Sequence, residues 1–120
     1  MTPIKTGSTS GYAVSKEVIT FNEANKVSSA AFEVKKNVVM SVFANKAALN
    51  TAGAVKVNLL LSYDGANFTK IKELIADIDT AFLVADYDFG AEGGAPWAKI
   101  ELEPAADEGT TNTVEVAVVF

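Results

Sequence analysis

Apolar and polar residues alternate along most of this chain with a period of two. From Val55 to Tyr63, the residues Val55, Val57, Leu59, Leu61 and Tyr63 share one face, and Lys56, Asn58, Leu60 and Ser62 share the other. That period marks a strand with one face in a core. Asp64-Gly65 follows, a tight-turn dipeptide because glycine accepts positive φ without a steric cost. The last segment repeats the pattern: Val114, Val116, Val118 and Phe120 alternate with Thr113, Glu115, Ala117 and Val119. In Trp97 to Glu103, Ala98, Ile100 and Leu102 turn inward, and Trp97, Lys99, Glu101 and Glu103 form the polar side. Residues 38–44, VVMSVFA, are apolar on both faces. They predict a central strand, covered on one side by the core and on the other by a loop or a neighbouring subunit. Residues 17–21, 29–35 and 81–89 supply further strands.

Turn-forming residues recur between these runs, at Asn22 to Asn25, Lys36-Asn37, Asn50 to Gly53, Asp64-Gly65, Gly90 to Pro96 and Pro104 to Asn112. Many short strands at such spacing predict a mainly β fold, a single antiparallel β-sandwich. A jelly roll and an immunoglobulin-like sandwich would show the same alternation, so strand order stays open. Residues 1–11, rich in Thr, Ser and Gly, read as a flexible N-terminal arm or extended lead-in to a sandwich domain over 12–120. One stretch breaks the period. Ile71, Leu74, Ile75 and Ile78 stand at i, i+3, i+4 and i+7, which predicts one short amphipathic helix near 69–79. A strand from Phe68 to Lys72 followed by a loop is the competing expectation.

Composition narrows the chemistry. The 120 residues are 49% apolar and 21% charged, which excludes intrinsic disorder, and at this length a real core can be buried. There is no Cys, His, Arg or Gln. A thiol nucleophile, an imidazole base, a disulfide framework and an ordinary zinc site are therefore excluded. No apolar run approaches the roughly 20 residues of a spanning helix, and the first 14 residues lack the apolar stretch of a secretory signal. Residues 1–60 carry seven Lys against three Glu, and residues 61–120 carry three Lys against twelve acids. Such a split would serve head-to-tail association, unless strands of the two halves interleave and cancel it. An acidic chain without Arg lacks the electrostatic footprint and the base reader of a nucleic-acid partner.

The candidate sites are few. Asp86, Asp88 and Glu92 around Gly90 resemble part of an oxygen-ligand cation loop, but the third ligand before the Gly and the bidentate Glu at position twelve are missing. Asp86 and Asp88 would share the solvent face of a strand end. Glu101 and Glu103 have a separation compatible with a glycosidase pair, yet a small sandwich offers little material for a cleft, and a plain polar face is the expectation. Trp97 is open between core, subunit interface and ligand platform, because a bulge after Gly93-Gly94 would reverse its parity. No metal, cofactor or catalytic residue is expected.

The stretch SYDGANF (Ser62 to Phe68) after VKVNLLL, then APWAKIELEP and the terminal NTVEVAVVF, resembles the closing hairpins of β-sandwich proteins in tailed-phage particles. The resemblance spans about residues 54–120. It implies a capsid decoration (cement) protein: not an enzyme, made in the host cytoplasm without a signal peptide, and placed on the virion surface. Its partners would be the major capsid protein and further copies of itself, with a trimer favoured. Ile4 and Tyr12, where the arm would reach a neighbour, and Phe43 and Trp97 on the sandwich, are the expected interface anchors. The alternatives are a tail, fibre or head–tail structural protein, or a non-catalytic carbohydrate-binding module. The last needs a row of exposed aromatics. Only Tyr63, Tyr87 and Trp97 are candidates, and alternation turns the first two inward.

Overall fold

The computed structural model describes residues 2–5, 14–22, 26–34, 39–48, 55–76, 78, 83–89, 95–104 and 111–119. These form ten strands: β1 (Thr2–Lys5), β2 (Val14–Asn22), β3 (Val27–Ser28), β4 (Phe32–Glu33), β5 (Val39–Ala48), β6 (Val55–Ser62), β7 (Thr69–Ile75), β8 (Leu83–Asp88), β9 (Trp97–Pro104) and β10 (Thr111–Val119). One sheet runs β1-β2-β10-β5-β8, and the other runs β3-β9-β6-β7 with β4 also paired to β9. All recorded pairings are antiparallel. Apart from the β1–β2 and β6–β7 pairs and the short step from β3 to β4, each successive strand changes sheet. The order β2-β10-β5-β8 facing β3-β9-β6-β7 is the double-sheet arrangement of a jelly roll, and it decides between the two sandwich types that alternation left open.

The core is built by the inward parity of the strands. Met40, Val42 and Ala44 of β5, Val114, Val116 and Val118 of β10, Val55, Val57 and Leu59 of β6, and Ile100 and Leu102 of β9 are fully buried. They belong to one apolar cluster spanning both sheets. Each of these side chains larger than alanine contributes roughly 1.5–3 kcal/mol on leaving water. β9 alternates half-buried and buried residues along its whole length, so no bulge reverses Trp97.

The helix expected near 69–79 is not formed. Thr69–Ile75 is strand β7 at the edge of its sheet. Its register against β6 runs Val57↔Ile75, Asn58↔Glu73, Leu59↔Lys72, Leu60↔Lys70 and Leu61↔Thr69. Leu74 and Ile71 are therefore each an extra residue, inserted at two bulges. A bulge shifts the period of two by one residue, and two of them within five residues turn a strand pattern into apparent helical spacing. Ile78 closes the segment: it is buried, and its N–H donates to the Val55 carbonyl at 3.1 Å.

Of the strand expected over 29–35 only the two-residue β4 forms, and the two-residue β3 lies just before it; both lie along β9. Val27 and Ser28 pair with Leu102 and Glu101, and Phe32 and Glu33 pair with Ala98 and Trp97. Ser29 bridges the break. Its N–H donates to the Ile100 carbonyl at 2.8 Å. Its buried hydroxyl accepts the Ile100 N–H at 3.0 Å and donates to the Ala30 carbonyl at 3.0 Å. A side-chain oxygen thus replaces the ladder acceptor that the irregular backbone withdraws.

Among the described residues the charges of the two halves are mixed in space, because both halves contribute to both sheets. Lys16–Glu115 (3.1 Å), Lys26–Glu103 (3.5 Å) and Lys56–Glu73 (3.5 Å) each join a lysine of the basic half to a glutamate of the acidic half.

Removing the Ser29 hydroxyl tests the bridge. Ser29→Ala leaves the Ile100 N–H buried without its acceptor, so the urea midpoint falls by the equivalent of about 1–3 kcal/mol. The Ile100 amide also loses hydrogen-exchange protection before its neighbours on β9.

Candidate functional site

The turn after β6 is organised by Asp64. Its Oδ1 accepts the Ala66 and Asn67 N–H groups at 2.9 and 2.8 Å and the Ser62 hydroxyl at 2.9 Å. Its Oδ2 accepts the Asn67 side-chain amide at 2.7 Å. The Ser62 hydroxyl oxygen in turn accepts the Asp64 and Gly65 N–H groups at 3.2 and 2.9 Å. Donors to a carboxylate favour its charged form. The Asn67 and Ala66 N–H groups, then the two side chains, hold the Asp64 carboxyl well below the ordinary carboxylate range. Gly65 has φ +79°, so the turn needs a residue that tolerates the left-handed region.

Trp97 lies against this turn. A Cβ on Gly65 would meet the indole Nε1 at 3.3 Å, so indole and glycine backbone are in close contact. Trp97 is half-buried on the outer side of β9, the side that alternation assigns to it. On the same strand face the Lys99 ammonium lies 4.4 Å from the centre of the Phe68 ring, within cation–π range.

Tyr63 does not turn inward. β6 ends at Ser62, so Tyr63 is the first turn residue rather than the last strand residue, and it is 78% exposed. Below it, Leu61, Ser62, Tyr63, Asn67, Thr69, Ile71 and Ala95 line an open depression of about 280 Å³. Tyr87, by contrast, is buried and packs edge-on against Phe89 at 5.1 Å. The described aromatics therefore form no row: Tyr63 is exposed, Trp97 is tucked against the turn and Tyr87 is inside.

Glu101 and Glu103 are more than a solvated polar face. Both accept from the buried Asn58 side-chain amide, at 3.0 and 2.9 Å. Lys26 and Lys70 stand 3.5 and 3.9 Å from the Glu103 carboxylate. The Asn58 hydrogen bond, reinforced by those two lysines, lowers the Glu103 carboxyl below its ordinary value. A pair locked to a structural amide and beside lysines is not arranged as an acid and a base across a sugar.

Asp86 and Asp88 share the exposed side of β8, with Tyr87 buried between them. The Ser41 hydroxyl donates to Asp86 Oδ1 at 2.6 Å. Glu92 and Gly90 lie outside the described residues, and among the described residues no group of three or more acids is close enough to hold a metal ion.

The expected anchors fall in different places. Phe43 is half-buried on the outer face of the sheet that holds β5, directly opposite Ala117. Trp97 is on the outer face of the other sheet, so the two do not share one surface. Ile4 lies within β1, at the edge of the Phe43 sheet, and Tyr12 is outside the described residues. Around Phe43 the register gathers apolar residues interspersed with polar ones, since Ser41, Glu115, Asp86 and Asp88 share the same outer face. Val119 sits opposite Ser41, and Val18 sits opposite Glu115. Val39 shares the parity of Phe43, and Val39 and Val18 are 53% and 54% exposed.

No family model and no curated protein sequence matches this chain. Solved structures of similar fold do. A carbohydrate-binding module, CBM4, superimposes with a TM-score of 0.53 at 16% identity, over 95% of this chain and 72% of its own. The Yersinia pseudotuberculosis-derived mitogen gives 0.51 at 14% identity, over 88% and 83%. The VP2 subviral particle of infectious bursal disease virus gives 0.51 at 10% identity, covering 89% of this chain and 33% of the viral one. At these identities the likeness is one of fold: a β-sandwich that occurs in a viral capsid protein and in a carbohydrate-binding module.

The Asn58 network sets an acid limit on stability. The Glu103 carboxyl is lowered from its ordinary 4.5, so its contribution is full above that value and is lost as pH falls through the lowered one. The melting temperature of the wild type should decline on acidification below about pH 4.5, and Glu103→Gln should decline less over the same range. At neutral pH, replacing Glu101 and Glu103 together by Ala strands the Asn58 amide and lowers stability by about 1–3 kcal/mol in chemical denaturation.

Proposed function

We propose that this protein is a non-catalytic structural component of a tailed-phage particle, a decoration (cement) protein bound to the outer surface of the head. The observation that carries the proposal is the group of apolar residues on the outer face of the β1-β2-β10-β5-β8 sheet. Phe43, Ala117 and Val119 line its middle, and Val18 and Val39 stand more than half exposed. Apolar side chains on a regular, stiff sheet face suit docking on another protein. The Lys16–Glu115 ion pair lies between Val18 and Ala117, and Asp86 and Asp88 flank Ser41 and Val39, so the face mixes apolar and charged groups as the surfaces of non-obligate interfaces do.

The lack of His and Cys and the engagement of Glu101 and Glu103 by Asn58 favour a role without catalysis. A jelly roll is compatible with life on a shell, since the capsid protein VP2 contains a domain of similar fold. In this proposal the major capsid protein is the partner, this face clamps neighbouring shell subunits, and further copies, in a trimer, share the site. A tail, fibre or head–tail part would use the same surface and differ in copy number.

Quantitative mass spectrometry of purified particles separates these outcomes. A fixed, high ratio to the major shell protein supports decoration, a few copies per particle place the chain in the tail or collar, and absence from particles refutes both. The docking face has its own test. Val18→Lys with Val39→Lys alters two exposed side chains, and stability should stay within about 0.5 kcal/mol of wild type for each. Copies retained on particles should fall at least tenfold, the equivalent of about 1.4 kcal/mol in binding. Retention at wild-type levels would show that the shell contact lies elsewhere.

A further inference from the structure

The depression beside Tyr63 is lined, besides Ser62 and Asn67 of the Asp64 turn, by residues that none of the structural roles above uses. Its floor is apolar, made by Leu61, Ile71 and Ala95, and Ile71 is 43% exposed because the β7 bulge turns it out of the ladder. Its rim carries Tyr63, Asn67 and Thr69. The Asn67 amide gives one N–H to Asp64, which leaves its second N–H and its carbonyl oxygen to face a ligand. The Tyr63 and Thr69 hydroxyls make no hydrogen bond within the described residues.

We infer that this depression is a subsite for one neutral pyranose ring of a glycan. Size is the first argument. At about 280 Å³ it lies just under the range of roughly 300–1,000 Å³ that holds drug-sized ligands, which suits a single ring. Charge is the second. No lining side chain is ionised near neutrality, so the depression offers no direct charge partner to an ionic ligand, and the Asp64 carboxylate beside the rim disfavours an anion. The mixture of surfaces is the third. A pyranose offers an apolar C–H face to a tyrosine ring and hydroxyls to an amide and a threonine, whereas a purely apolar ligand would bury those polar groups unpaired.

The site is also held ready. Tyr63 has only two side-chain torsions to order, and the turn that carries it is fixed by the Ser62 and Asp64 hydrogen bonds. Little ordering remains to oppose binding. A single open subsite supports weak affinity, on the order of millimolar. The inference is independent of the shell role. Tyr63 belongs to the β6–β7 turn, and the apolar group around Phe43 lies on the outer face of the other sheet.

Titration of the isotopically labelled chain with glucose, galactose, mannose and N-acetylglucosamine, followed by amide NMR shifts, tests it. At least one sugar should move the amides of Tyr63, Asn67, Thr69 and Ile71 together, saturating at about 50 mM or below. Tyr63→Ala should weaken that binding at least tenfold, and Tyr63→Phe should retain it within about threefold, since the ring does most of the stacking. Thermal melts of both variants should match the wild type, because the side chain is exposed. No shifts with any of the four sugars, shifts centred elsewhere, or unchanged binding by Tyr63→Ala would overturn the inference. Glucuronate binding as well as the neutral sugars would overturn its charge argument. Particle copy number is unaffected by either result, so the two proposals fail separately.

Discussion

Burial between two sheets is what every other feature of this protein rests on. The chain has no cysteine to form a disulfide and no histidine, so the inward faces of β5, β10, β6 and β9 must supply the stabilisation themselves. They do so with one unbroken cluster, from Met40 and Val116 on one sheet to Leu59 and Ile100 on the other. Because side chains alternate across a strand, filling the inside also dictates what stands outside. Phe43 faces outward because Val42 and Ala44 are needed inward, and Asn58 and Glu101 share an outer face because Val57, Leu59 and Ile100 do not.

Where the ladder departs from regularity, a polar group repairs it. Ser29 supplies an oxygen to the Ile100 N–H at the break between β3 and β4. Asp64 and Ser62 collect the N–H groups of the turn after β6. Asn58 is drawn under Glu101 and Glu103 on the outside of the sheet. Each solution ties residues from distant parts of the sequence, or from one turn, into a fixed geometry. The turn solution places an exposed aromatic above a small depression, and so a structural device carries a surface suited to a ligand.

The two sheets therefore present different outer faces. One carries Phe43, Ala117, Val119, Val18 and Val39 interspersed with Ser41, the Lys16–Glu115 pair and two aspartates. The other is a network of lysines and glutamates around a buried amide, ending at Trp97 and the Asp64 turn.

Much of this was legible in the residues alone. The alternation in Val55–Ser62, Trp97–Glu103 and the terminal strand is strict, and strict alternation specifies which side chains enter a core whatever the strand order. The strand boundary at Ser62 was not legible, and β7 was legible only as the competing expectation of a strand from Phe68 to Lys72. Tyr63 continues the alternation in sequence, but the Ser62 and Asp64 side chains capture the backbone one residue earlier. The two bulges at Ile71 and Leu74 imitate helical spacing, and only pairing with β6 distinguishes the two. Strand order, the pairing of charges from the two halves and the junction of Asn58 with Glu101 and Glu103 were decided by tertiary structure. Local periodicity reports how a strand faces its core, whereas neighbours in a sheet are chosen by contacts between residues far apart in the chain.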